Sequence, residues 1–164
     1  MTRPTGAAVR SGIEQQLAEV GARSLTVIDF SHVGLLDFSC ADEIVAKLLL
    51  RQIGPGGRRD AYFVFRGLTD SHLEAVEAVL ARHGLAIVAE AEDGTPSLVG
   101  ELDEGERLAW AALTRLGRGA PPEVAAEAGL EPGLAASLLD TLWGRRVAMR
   151  LDDCYVALEI PTIQ

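Results

Sequence analysis

Ser39 is a residue whose type and position could carry chemistry, as a helix cap or as a modified hydroxyl. It lies in the run Asp37-Phe38-Ser39-Cys40-Ala41-Asp42-Glu43, directly ahead of a periodic apolar segment. A serine there predicts a hydroxyl that accepts from an unpaired backbone N–H at a helix start, with Asp42 at the third helical position. The same geometry suits a phosphoserine, because a helix N-terminus presents free donors and a partial positive charge. Asp37, Asp42 and Glu43 crowd the position with negative charge, and a phosphate adds about −1.5 to −2 more. A phosphate at this position would act by repelling acidic surfaces or spoiling a close contact rather than by creating a salt bridge.

Enzyme chemistry has less to build on. His32 falls in a loop, and His72 and His83 fall in one helix about three turns apart, too far to share a metal unaided. They read as solvated or satisfied surface histidines. Cys40 and Cys154 have no metal-ligand spacing and are too few for a disulfide framework, which points to a reducing cytoplasm. Cys40 at a helix start is a candidate for a lowered pKa, but the carboxylates around it oppose that, so a packed small residue is expected. The Gly54-Pro55-Gly56-Gly57 run lacks the Lys-Ser/Thr ending of a phosphate-cradling loop, and Arg58 and Arg59 beside it read as a solvated loop. No nucleophile, base and orienting group can be assembled. No catalytic residue, metal or cofactor is expected.

The elements that must position Ser39 follow from the apolar spacing. Val9, Ile13, Leu17 and Val20 predict a helix over 6–20, ended by Gly21. The runs Leu25–Phe30, Ala61–Phe65 and Leu85–Ala89 are short, apolar and rich in β-branched or aromatic residues, as in strands covered on both faces. Ile44, Val45, Leu48 and Leu49 predict a helix over 41–51, and Leu73, Val76, Val79 and Leu80 one over 71–83, with Gly84 as its stop. Ser97–Val99 is expected as a short edge strand. Strands alternating with helices at this spacing imply an α/β fold with a parallel or mixed sheet.

Beyond Gly100 the texture changes. Asp103 and Glu106 form a capping box for a helix to about Leu116. Gly117, Gly119 and Pro121-Pro122 break it, and a short helix over 122–128 ends at Gly129. A third helix opens at Glu131-Pro132 with Leu134, Leu138 and Leu142 on one stripe and Leu139 beside it. Val147–Leu151 and Tyr155–Leu158 around Asp152-Asp153 read as a β-hairpin. Two domains are expected, residues 1–100 and 101–164.

Charge narrows the partners. The 164 residues carry 15 Lys and Arg against 24 Asp and Glu, a net of −9. Residues 1–100 hold 9 basic and 13 acidic side chains, net −4, and residues 101–164 hold 6 and 11, net −5. Neither half offers a basic surface for a phosphate backbone. No run of about 18 apolar residues marks a membrane span, so no membrane partner is expected.

The segment VIDFSHVGLLDFSCADEIVAKLL at 27–49 resembles the STAS and STAS-like domains of the bacterial anti-sigma factor antagonist superfamily. The resemblance lies in a strand ending Asp29-Phe30-Ser31, a short loop, Asp37-x-Ser39 and an amphipathic helix. It implies a non-enzymatic regulator that binds a protein partner, a regulatory kinase or anti-sigma-like factor, with Ser39 at the position phosphorylated in the switching members. Asp37, Phe38, Ser39, Cys40, Asp42 and Glu43 would form the contact, and a homodimer is a further option. Phe38 and Cys40 depart from the Ser and Gly of the family motif, and a leading helix stands where a strand pair is usual. Residues 102–160 resemble winged helix-turn-helix domains through Gly129-Leu130, the longer helix after it and Gly144 before the wing. That resemblance implies an alternative, DNA binding through Ser137, Thr141, Arg145, Arg146 and Arg150. The acidic balance and the Asp152-Asp153 wing tip weigh against DNA and for protein contact.

Overall fold

Three short apolar runs form the parallel part of a sheet. In a computed structural model, which describes residues 3–20, 24–53 and 61–160, β1 (Ser24–Asp29), β2 (Ala61–Arg66) and β3 (Ala86–Glu90) lie side by side and parallel. An antiparallel edge strand, β4 (Pro96–Gly100), completes the order β1-β2-β3-β4. The chain is thus mixed α/β with a mixed sheet, and each expected strand lies within a residue or two of its observed bounds. Gly21, the run 54–57, Arg58 and Arg59 lie outside the described residues.

Successive side chains of a strand point to opposite faces, so each strand contributes to two cores. Ile28, Phe63, Phe65, Ile87 and Ala89 face the helices of the first half: α1 (Arg3–Val20), a helical run over 38–53, and α4 (Asp70–His83). Tyr62, Val64, Ala86 and Val88 face the other way, into a cluster with Trp110, Leu113, Leu139 and Leu142. The strands are covered on both faces, as their continuous apolar character predicts. The second cover comes from beyond Gly100, so residues on both sides of that glycine share one apolar cluster.

The helical run over 38–53 has three parts: α2 (Phe38–Ala41), a π-helical turn (Asp42–Ala46) and α3 (Lys47–Ile53). All five residues of the wider turn are buried. The run starts three residues before the expected Ala41, because Asp37 caps it. Gly6 of α1 is the reason two helices can meet here. A Cβ on it would lie 3.0 Å from Cys40 Sγ and 3.1 Å from Glu43 Cβ.

The second half contains α5 (Glu104–Leu116), β5 (Arg118–Gly119), α6 (Pro121–Ala128), α7 (Pro132–Gly144), β6 (Ala148–Leu151) and β7 (Cys154–Ala157). The capping box of Asp103 and Glu106 forms as expected, with both backbone N–H groups bonded to the reciprocal carboxylates. Two details differ from expectation. Residues 118–119, read as a simple break, pair with Val156 and Tyr155, giving a three-stranded sheet of order β5-β7-β6. On α7 the fully buried stripe is Ala135, Leu139 and Leu142, whereas Leu134 is 48% exposed. Spacings of three and four allow two overlapping stripes on this leucine-rich helix, and periodicity alone does not choose between them. No helix among the described residues is long and apolar enough to cross a membrane.

Candidate functional site

In α/β sheets the loops at the carboxyl ends of parallel strands form the crevices where ligands and partners are met. Here that edge begins at Asp29. The N–H and Oγ of Ser31 both donate to Asp29 Oδ1, at 2.8 and 2.5 Å. These two bonds hold the Asp29 carboxyl below the usual carboxylate range, with the charges of Arg66 and His32 adding smaller contributions. Gly67, at the end of β2, crosses directly over this turn. Its φ is +71°, and a Cβ there would stand 2.4 Å from Ser31 Oγ, so only glycine fits. The Asp29-Phe30-Ser31 part of the motif is therefore a self-satisfied turn. Arg66 and Glu90 pair beside it at 2.5 Å.

The loop from Ser31 leads to the helix that carries Ser39. Its cap is Asp37, whose Oδ1 accepts from the Cys40 N–H at 2.7 Å. This corrects the expectation that Ser39 is the capping residue: an aspartate two positions earlier already satisfies the first-turn donor. Ser39 lies inside the first turn and is half-buried. The loop is tied down by His72, which is buried rather than a surface residue as expected. Its Nδ1 accepts from the Thr69 N–H at 3.1 Å, so Nε2 carries the proton and donates to the Gly34 carbonyl at 2.6 Å.

The six residues expected at a partner contact divide into two sets. Cys40 is fully buried, and burial, reinforced by Asp37 and Glu43, pushes its thiol pKa up. Asp42 turns toward α4 and pairs with His83 at 2.9 Å. Glu43 turns toward α1, meeting Arg10 at 3.5 Å and Lys47 at 2.5 Å. These three face inward, and their chemistry is engaged within the fold. Asp37, Phe38 and Ser39 remain toward the outside.

Two residues before Asp37 in the same loop is Leu35, 82% exposed, the most exposed large apolar side chain among the described residues. Phe38 is half-buried, with the Arg82 guanidinium 5.6 Å from its ring centre. Between this helix start and α4 opens a cleft of about 320 Å³, walled by Leu36, Phe38, Ala75 and Ala78 and rimmed by Ser71 and Glu74. The sequence reading missed Leu35. Its signal was present as an apolar residue in a loop, but exposure in a loop is decided by how the loop is tied.

The residues named for DNA are placed otherwise than that reading requires. Arg145 donates to Glu106 Oε2 at 2.9 Å, to the Gly84 carbonyl at 2.9 Å and to the Glu101 carbonyl at 2.5 Å. Arg146 is buried, bonds the Trp143 carbonyl at 2.7 Å and lies over the Trp143 ring. Both cations are thus engaged by groups of the chain itself. Arg150 sits 3.4 Å from Asp140 and over the Trp143 and Tyr155 rings. Ser137 and Thr141 are exposed, and the Thr141 hydroxyl donates to the Ser137 carbonyl at 3.1 Å.

Compared with protein-family models, with curated proteins and with solved structures, the chain gives no match.

Proposed function

We propose that this chain is a non-enzymatic, cytoplasmic regulatory protein that binds a protein partner through Leu35, Asp37, Phe38 and Ser39. In this reading the first half is a STAS-like domain and phosphorylation of Ser39 controls the contact. The partner is a regulatory kinase or an anti-sigma-like factor, as the resemblance of the 27–49 segment implies. The second half is a winged helix used for protein contact, here against the sheet of the first half.

The observation that carries the reading is Leu35. An 82% exposed leucine has no role in the core, and it directly precedes Leu36, which with Phe38 walls the apolar cleft on α4. Exposed apolar surface of that kind, rimmed by polar groups, is what interaction sites present. Ser39 stands in the first turn of the same helix, where an added phosphate faces the N-terminal dipole but also Asp37. A group of that size and charge beside Phe38 disrupts an apolar contact. The inward pairing of Arg145 and Arg146 supports protein contact over DNA for the second half.

Affinity capture from host lysate with wild-type, Leu35→Glu and Ser39→Asp baits, read by mass spectrometry, tests this. A kinase or sigma-factor regulator retained by the wild type and lost by both variants is the expected result. Equal retention of the same protein by all three baits would reject the surface and the switch together.

A further inference from the structure

The open edge of β4 is a second place where this chain is prepared to meet a partner. Register decides which of its backbone groups are free. Pro96 opposes Glu90 and has no N–H, so that pair is not of the hydrogen-bonded kind. The bonded pairs are then Ser97 with Ala89 and Val99 with Ile87, and the Glu101 N–H on Leu85 O at 3.2 Å keeps the same phase. Leu98 and Gly100 consequently turn their N–H and C=O groups away from β3. The register thus leaves both N–H groups directed at the outer edge of the sheet.

Arg107 of α5 reaches across this edge and donates to both outward carbonyls, Leu98 O at 3.3 Å and Gly100 O at 3.0 Å. It is an exposed side chain with no carboxylate partner among the described residues. Two clefts flank it, one on each face of the strand. On the α5 side a cleft of about 430 Å³ is walled by Ala91, Pro96, Leu98, Trp110 and Ala111. On the α4 side a cleft of about 440 Å³ is lined by Leu73 and Val99 together with Glu77 and Glu101, neither of which has an ion pair among the described residues.

We propose that β4 accepts an extended peptide strand from a protein partner, bearing alternate apolar and basic side chains, with Arg107 as the gate. An added strand uses the Leu98 and Gly100 N–H and C=O groups for its backbone, and its side chains alternate between the two faces. Its apolar residues enter the α5-side cleft beside Trp110, and its basic residues face Glu77 and Glu101. The N–H groups of the incoming strand require the carbonyls that Arg107 holds, so Arg107 must swing away. Held in place it protects the edge from indiscriminate pairing, the usual need of an exposed edge strand. This surface is separate from the one around Leu35.

The test uses the full chain and a synthetic probe, acetyl-Lys-Val-Lys-Val-Lys-Val-amide, with a control peptide of the same sequence N-methylated on its valines. Fluorescence titration and amide hydrogen exchange are read together. The parent peptide is expected to bind and to protect the Leu98 and Gly100 amides, the methylated peptide to bind at least tenfold more weakly by losing backbone hydrogen bonds, and Arg107→Ala to bind the parent several-fold more tightly. Equal binding of both peptides, protection elsewhere than on β4, or no binding by wild type and Arg107→Ala alike overturns strand addition. Weaker binding by Arg107→Ala overturns the gate.

Discussion

Trp143 Nε1 donates to the Tyr62 hydroxyl at 3.2 Å, joining the last turn of α7 to β2, one of the two inner strands of the four-stranded sheet, across 81 positions of sequence. Tyr62 is fully buried, and around this bond the apolar cluster of Val64, Ala86, Val88, Trp110 and Leu142 closes. The bond adds a directional contact to the apolar cluster that the two halves share. Tyr62→Phe keeps the ring and removes the acceptor, so it should lower unfolding stability by about 0.5–1.5 kcal/mol. Trp143→Ala removes the ring as well and should cost more, about 3 kcal/mol. Urea denaturation of both variants checks the order.

Arg145 should behave as a structural residue. Removing its guanidinium leaves the Glu106 carboxylate, 9% exposed, without its cation and two carbonyls without a donor. Arg145→Ala should destabilise by about 2–4 kcal/mol. A low-salt gel shift with mixed genomic fragments should be unchanged by the substitution. Salt-sensitive binding that disappears in Arg145→Ala while stability holds would return DNA to the second half.

Capping separates Asp37 from Ser39. The Asp37 carboxylate accepts from the Cys40 N–H, so Asp37→Ala should cost about 0.5–2 kcal/mol in unfolding stability. Ser39→Ala should stay within about 0.5 kcal/mol of the wild type. Thermal unfolding of the two variants side by side is sufficient. A larger loss from Ser39→Ala than from Asp37→Ala would restore the serine as the cap.

Tyr155 ties stability to alkaline pH. Burial first, then its hydrogen bond to Asp140 and that carboxylate's charge, push its pKa from 10.0 to about 12, with Arg150 acting weakly in the opposite direction. The raised folded pKa means that the unfolded chain loses the proton first. Stability from this group is therefore complete below pH 10 and falls as pH rises toward 12. Tyr155→Phe should be less stable at neutral pH, and its urea midpoint should decline less between pH 10 and 12 than that of the wild type.

Much of the local structure could be read directly from residue types. The strands at 24–29, 61–66 and 86–90 announce themselves because parallel strands buried on both faces need unbroken apolar runs. The Asp103 box and the left-handed stop at Gly84 rest on bonds within one turn of the chain. The candidate site was legible as a segment but not as a surface. Asp37 and Ser39 compete for the same orphan donors, and only the path of the loop, held by His72 on Gly34, settles which reaches them.

Sequence by itself determined the alternation of strands and helices, the change of texture at Gly100 and the acidic balance of both halves. Those depend on neighbours a few positions apart or on counts. Tertiary structure decided that Cys40, Asp42 and Glu43 face inward, that Leu35 faces outward, and that Arg145 and Arg146 bond the chain itself. It also decided that the far face of the sheet is covered by residues beyond Gly100. Apart from Arg146, which bonds Trp143 three residues away, these rest on meetings of groups far apart in sequence, such as Glu43 with Arg10, Arg145 with Gly84 and Trp143 with Tyr62. A side chain's periodic position says which face it shares with its neighbours, but the partner across that face is chosen by packing.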